Sequence, residues 1–147
     1  MVREAGKGDE KTLAELMLLL WPEHGEAELL AECEAFMEDE NAGFFLKYEQ
    51  GVPAGFAQCQ LRHDYVEGTK TSPVGYLEGI FVREEYRRRG YGREVLRACE
   101  AWAAKRGCRE FASDCELDNA DSFHFHMAAG FLEANRVICF VKELKQP

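Results

Sequence analysis

Residues 75–107 constrain the fold more than any other part of the chain. Residues 75–82, Gly-Tyr-Leu-Glu-Gly-Ile-Phe-Val, read as a strand. Arg87-Arg88-Arg89-Gly90-Tyr91-Gly92 follows after a short gap. A helical pattern then begins, with Val95, Leu96, Cys99, Trp102 and Ala103 on one face and Gly107 at its end. A strand that passes through a glycine turn into an amphipathic helix commits the chain to helices layered on a sheet.

The remaining patterns supply partners for that unit. Residues 2–5 suit a first strand, and Gly8-Asp9 suits a helix start with Asp9 as N-cap. Leu13, Leu16, Met17 and Leu20 then recur at helical spacing until Pro22 stops the helix. A second helix is predicted over 26–38, with Leu29, Cys33, Phe36 and Met37 facing inward. Residues 44–48 and 56–61 read as a hairpin joined by a turn at 49–53. In its return strand Phe56, Gln58 and Gln60 face away from Ala57, Cys59 and Leu61. Residues 62–73 read as an exposed polar loop. A short strand at 111–114, a helix over 119–129 closed by Gly130, and last strands at Phe131 and 137–141 complete the reading. The sequence contains no internal repeat, low-complexity tract or linker, so residues 1–147 are expected to form a single α/β domain.

The net charge is -9. This disfavours nucleic acid as a partner and favours cationic ligands. The six cysteines include no C-x-x-C pair, which argues against a zinc site and fits a reduced, cytoplasmic setting. The longest apolar stretch, residues 16–21, is too short to span a bilayer, and the N-terminus does not read as a secretion signal.

The glycine-rich turn carries the sharpest chemistry. A helix N-terminus presents unpaired N–H groups and partial positive charge, glycine lets the backbone approach a ligand closely, and arginines add donors for phosphate. The turn is not a nucleotide P-loop, since no Gly-Lys-Ser/Thr follows, and it lacks the third glycine of a dinucleotide fingerprint. A solvated basic turn capping a helix is the plain alternative.

The spacing of Arg87, Gly90 and Gly92 after a strand rich in Ile, Phe and Val resembles the acyl-CoA loop of the GCN5-related N-acetyltransferases (GNAT). Asn119 and the run His126-x-x-x-Gly130-Phe131 resemble that family's second CoA-contacting helix and its Gly-Phe end. The resemblance implies an α/β (α+β) GNAT fold with a mixed sheet of six to seven strands, splayed at the acetyl-CoA site and flanked by about four helices. It implies acetyl-CoA as co-substrate and no metal. The pantetheine arm and thioester would lie on Ile80, Phe81 and Val82, and the phosphates on Arg87, Arg88, Arg89, Gly90, Tyr91, Gly92 and Asn119. A strand at 79–82 that also serves as plain core is compatible with that role.

A narrower resemblance concerns the acceptor. Leu20-Trp21-Pro22-Glu23-His24, residues 65–74 and residues 77–82 look like the aminoglycoside 6'-N-acetyltransferases, and residues 111–114 with 117–119 extend the match. By that resemblance Trp21, His24, Tyr65, Glu78 and Asp114 line a pocket for an aminoglycoside. Asn135, where relatives are expected to carry an acid, joins them. The chemistry agrees: carboxylates pair with ammonium groups, and aromatic rings stack on sugars and cations. Glu78 interrupts an apolar strand: buried, it needs a ligand, water or a cleft, and the plain alternative is a place on the solvent face.

Glu78 is the candidate general base, directly or through water, for direct transfer in a ternary complex. His126 stands where many relatives have a tyrosine, and is the candidate partner for the departing thiolate. A covalent route through Cys115 is the lesser alternative. Acetylation of another amine, such as a polyamine or a protein N-terminus, and a non-catalytic acyl-CoA-binding role are the competing functions. The resemblance also implies a homodimer.

Overall fold

The computed structural model describes residues 1–147. Two compact units result, residues 1–114 and 115–147. The first unit holds β1 (Val2–Glu4), α1 (Glu10–Leu20), α2 (Glu26–Met37), β2 (Ala42–Glu49), β3 (Val52–Arg62), β4 (Val74–Val82), a 3-10 turn at Glu84–Tyr86, α3 (Tyr91–Lys105) and β5 (Phe111–Ala112). The second holds α4 (Ala120–Ala128).

The five strands form one mixed sheet in the order β1-β2-β3-β4-β5. Antiparallel pairing runs through β4, and β5 joins β4 in parallel. Alternate residues of a strand face opposite sides, and each side finds its own helices. On one side Phe44, Leu46 and Phe56 pack with Leu13, Leu16 and Met17 of α1 and with Leu29 and Cys33 of α2, forming a buried cluster. On the other side lies α3. Its Trp102 ring sits where a Cβ on Gly43 would come within 2.9 Å, and its Ala103 Cβ would lie 2.7 Å from a Cβ on Gly75. Glycine at both positions lets the helix approach the sheet closely.

Five strands replace the six to seven expected. Phe131 and residues 137–141 form no strand, and the Phe131 amide instead donates to the His126 carbonyl at the end of α4. The hairpin turn also narrows from 49–53 to Gln50 and Gly51, both with positive φ as a two-residue turn requires. Val52 and Pro53 join β3. Asp9 stands at the N-cap of α1, but its carboxylate is turned back to Arg3, at 2.8 Å, and to the Gly6 amide. The Arg3 guanidinium holds that carboxyl below its usual range.

The loop after β3 is exposed but anchored. Val66 is buried against Val74 and Tyr76. Glu110 accepts the Lys70 and Thr71 amides, each at 2.8 Å, and the Thr71 hydroxyl. These donors, Thr71 first, lower the Glu110 pKa. A folded-state pKa below the unfolded one stabilises the clamp at neutral pH, and that contribution disappears as pH falls through the depressed value. Glu110→Ala is therefore expected to raise amide exchange at residues 66–73 at neutral pH. Acidification below the ordinary carboxylate range does the same to the parent chain. Equal exchange in both proteins at pH 7 would rule the clamp out.

No helix is long and apolar enough to cross a membrane.

Candidate active site

Glu78 owes its position to a β-bulge. Leu77 pairs with Cys59 and Gly79 pairs with Gln58, so Glu78 is the extra residue between two ladder partners. A bulge re-aims side chains and resets the alternation of the strand. Before it, Leu77 shares the face of Cys59. After it, Gly79 and Phe81 face α1, where Trp21 would meet a Gly79 Cβ at 2.8 Å and Phe81 joins the α1–α2 cluster. Glu78 is turned to this same side, reaching Arg62 at the end of β3.

Two Arg62 nitrogens donate to the same oxygen, Glu78 Oε1: Nη2 at 2.8 Å and Nε at 3.2 Å. The Glu78 side chain is 22% exposed and that of Arg62 is 41% exposed. The guanidinium carbon lies 3.5 Å from the centroid of the Tyr76 ring. The Tyr76 hydroxyl donates to Asp114 Oδ2. Burial, then this bond to Asp114, keeps the phenol protonated well above its usual range. The first unit thus brings Glu78 and Asp114 into one polar chain through Arg62 and Tyr76. Neither of those two residues stood out in the sequence, since the link depends on strand register.

An open groove of about 460 Å³, lined by Gln60, Leu61, Arg62, His63, Asp64 and Tyr65, adjoins this chain. Tyr65 is 76% exposed. Trp21 caps α1 and lies edge-on to His24, with centroids 6.5 Å apart. His24 Nδ1 is 3.1 Å from Glu28 Oε1, and that contact raises the imidazole pKa.

The far edge of β4 is paired only at Gly75 and Tyr76, with Phe111 and Ala112. From Leu77 to Val82 the main-chain groups directed away from β3 have no strand partner. The turn that follows places Arg88 at φ 66 and Gly90 at φ 82. Left-handed residues next to a helix start turn successive N–H groups into one concavity suited to an anion. The three arginines differ. Arg87 Nε donates to the Val82 carbonyl at 2.9 Å and braces the turn against the strand. Arg89 lies over the Tyr86 ring, and Arg88 is exposed. Tyr91, at the start of α3, donates to Glu49, while the buried Lys47 lies 4.3 Å above its ring and pairs with Glu94. These contacts fix the start of α3 to β2.

In the second unit, Asn119 Oδ1 accepts the Ser122 amide at 3.1 Å, an N-cap of α4. His126 Nδ1 lies 2.7 Å from the Ser122 carbonyl, so Nδ1 carries the proton in the neutral ring. Asn135 is exposed, and its Oδ1 accepts the Arg136 amide.

A strand edge without a ladder partner, followed by a glycine turn at a helix start, can hold an extended ligand that ends in phosphate. A sequence model described as Acetyltransferase (GNAT) family matches residues 11–131. The chain belongs to this family. Among curated proteins it is 42% identical over 123 residues to the aminoglycoside N(6')-acetyltransferase type 1 of Salmonella typhimurium, covering 84% of this chain and 85% of the relative. It is 40% identical over 139 residues to the Stenotrophomonas maltophilia protein of the same name, covering 95% and 90%. Among solved structures it resembles AAC(6')-Iy in complex with the bisubstrate analogue CoA-S-monomethyl-acetylneamine, with TM-score 0.94, 38% identity and 98% coverage of both chains. The apo aminoglycoside antibiotic 6'-N-acetyltransferase AAC(6')-IG of Acinetobacter haemolyticus gives TM-score 0.93 and 36% identity, with 99% coverage of both.

Proposed function

We propose that this chain transfers the acetyl group of acetyl-CoA to the 6'-amino group of aminoglycosides, by direct attack in a ternary complex, and so confers resistance to these antibiotics. The observation that carries the reading is the bulge at Glu78, which turns a half-buried carboxylate out of β4, the strand whose far edge is unpaired beyond Tyr76. The relatives named above support the choice of acceptor.

The residues fit the donor. The left-handed Arg88 and Gly90 suit the pyrophosphate, and the edge of Ile80, Phe81 and Val82 suits the thioester arm. Arg87, Arg89, Tyr91, Gly92 and Asn119 complete the proposed contacts, and Arg87 also braces the turn. Acetyl-CoA supplies an activated carbonyl with a thiolate leaving group. Main-chain N–H groups on β4 would stabilise the oxyanion.

On the acceptor side, Glu78 and Asp114 would bind ammonium groups, with Trp21, Tyr65, His24 and Asn135 around the sugars. Glu78 removes one proton from the 6'-ammonium, directly or through water. The free amine nitrogen bonds to the acetyl carbon, and the C–S bond breaks with its electron pair left on sulfur. The amide nitrogen passes its remaining extra proton through His126 to the thiolate, and Glu78 releases its own proton to solvent.

Both units belong to one acetyltransferase domain in this proposal, since the family match over residues 11–131 reaches from the first into the second. The protein works in the cytoplasm, consistent with six free cysteines. It works as a homodimer, because Val137, Ile138, Phe140 and Val141 form an exposed apolar run that a second copy would cover. Sedimentation as a monomer at assay concentration would remove this last part.

The test is a steady-state panel of aminoglycosides with and without a 6'-amine, together with spermidine and peptides. Activity is expected to vanish where only the 6'-amine is absent. Preference for spermidine or a peptide would overturn the assignment.

A further inference from the structure

We propose that Arg62 is a positioning residue: it pins one oxygen of Glu78 and, through the ring of Tyr76, ties that carboxylate to Asp114, so that Glu78 Oε2 and Asp114 Oδ1 are presented together to the acceptor. This deepens the reading of Glu78 as general base and rests on it.

The geometry is specific. An arginine meeting a carboxylate commonly forms two parallel bonds, one to each oxygen. Here both nitrogens converge on Oε1, and Oε2 is left for another partner. The same division holds at Asp114, where Tyr76 takes Oδ2. The guanidinium lies against the Tyr76 ring and is not free to swing without giving up that contact. Arg62 and Tyr76 come from neighbouring strands, and Gln60 stands directly opposite Tyr76, so β3–β4 register fixes Arg62, Tyr76 and Glu78, while the pairing of Tyr76 with Ala112 brings Asp114 near. A mobile arginine would compete with a cationic acceptor for Glu78. A stacked one, bonded to a single oxygen, orients the carboxylate instead.

The experiment is a double-variant cycle in steady-state kinetics on a 6'-amine aminoglycoside. Arg62→Met keeps the apolar stem and removes the fork. It is expected to lower kcat about tenfold, as loss of orientation does. The KM for acetyl-CoA stays unchanged. In the Glu78→Gln background the same change should cost less than about twofold, because a residue acting through Glu78 has nothing left to orient. A larger loss in that background overturns the proposal, since a merely structural role would give it. So does an unchanged kcat, or a fall in the aminoglycoside KM, which would make Arg62 a competitor. If Arg62→Met fails to fold, Arg62→Lys takes its place in the cycle; it keeps charge but lacks the planar fork, and the same criteria apply. A parent enzyme that acetylates no aminoglycoside would remove the underlying reading, and is seen before any variant is made.

Discussion

Glu78→Gln is expected to lower kcat/KM for a 6'-amine aminoglycoside by about a hundred- to ten-thousandfold, the range that removal of a general base produces. Glutamine has the shape of glutamate and keeps an oxygen for Arg62 to bond. What it loses is the negative charge and the ability to take a proton. The substitution sits in a bulge rather than in a ladder pair, so β3–β4 register has no reason to shift. The ion pair it weakens is partly solvated, and such pairs are worth roughly 0–1 kcal/mol. Folding should therefore survive, and calorimetry should find CoA affinity within about twofold of the parent, since Glu78 is not among the proposed CoA contacts. A variant that keeps more than about a tenth of parental kcat/KM would move the base elsewhere.

Local patterns were legible in the sequence wherever one face of one element decided them. Leu13, Leu16 and Met17 were placed in the core by helical spacing, and Val95, Leu96, Cys99 and Trp102 likewise. Strict alternation along 75–82, by contrast, puts Glu78 on one face with Tyr76, Ile80 and Val82. The bulge breaks that rule and sends Phe81 to the α1 side instead. Gly79 is a local hint of a bulge, since glycine inside a strand often marks one, but the register itself reflects pairing between strands that are distant in sequence. The link from Arg62 to Glu78 was hidden for the same reason. The strand expected at residues 137–141 failed on a different ground. Alternation shows that a segment can pair, but the partner backbone must come from elsewhere. Arg87 was expected among the phosphate contacts, and its bond to the Val82 carbonyl is a tertiary detail that the motif spacing does not carry.

Phe56→Ala is expected to destabilise the protein by about 3–5 kcal/mol, the range for deleting a buried phenylalanine. The side chain is fully buried in the cluster that joins α1, α2, β2 and β3, and it stands opposite Phe81 on β4. Four elements converge on the cavity it would leave, so local collapse is restricted and the upper half of the range applies. Set against a typical total of about 5–15 kcal/mol, this is a large fraction of the fold's stability. For a chain of this size it corresponds to a melting point lower by roughly 10 °C or more. The denaturant midpoint should fall with an unchanged slope, because the cluster binds the helical pair to the sheet and its loss is felt globally. Function follows the same core. Phe81 belongs both to this cluster and to the strand edge proposed for the thioester, so the KM for acetyl-CoA should rise even at temperatures where the variant stays folded. A midpoint shift equivalent to less than about 1 kcal/mol would show that Phe56 is not central to the core. A large shift with an unchanged KM would separate the packing of Phe81 from its place at the acyl site.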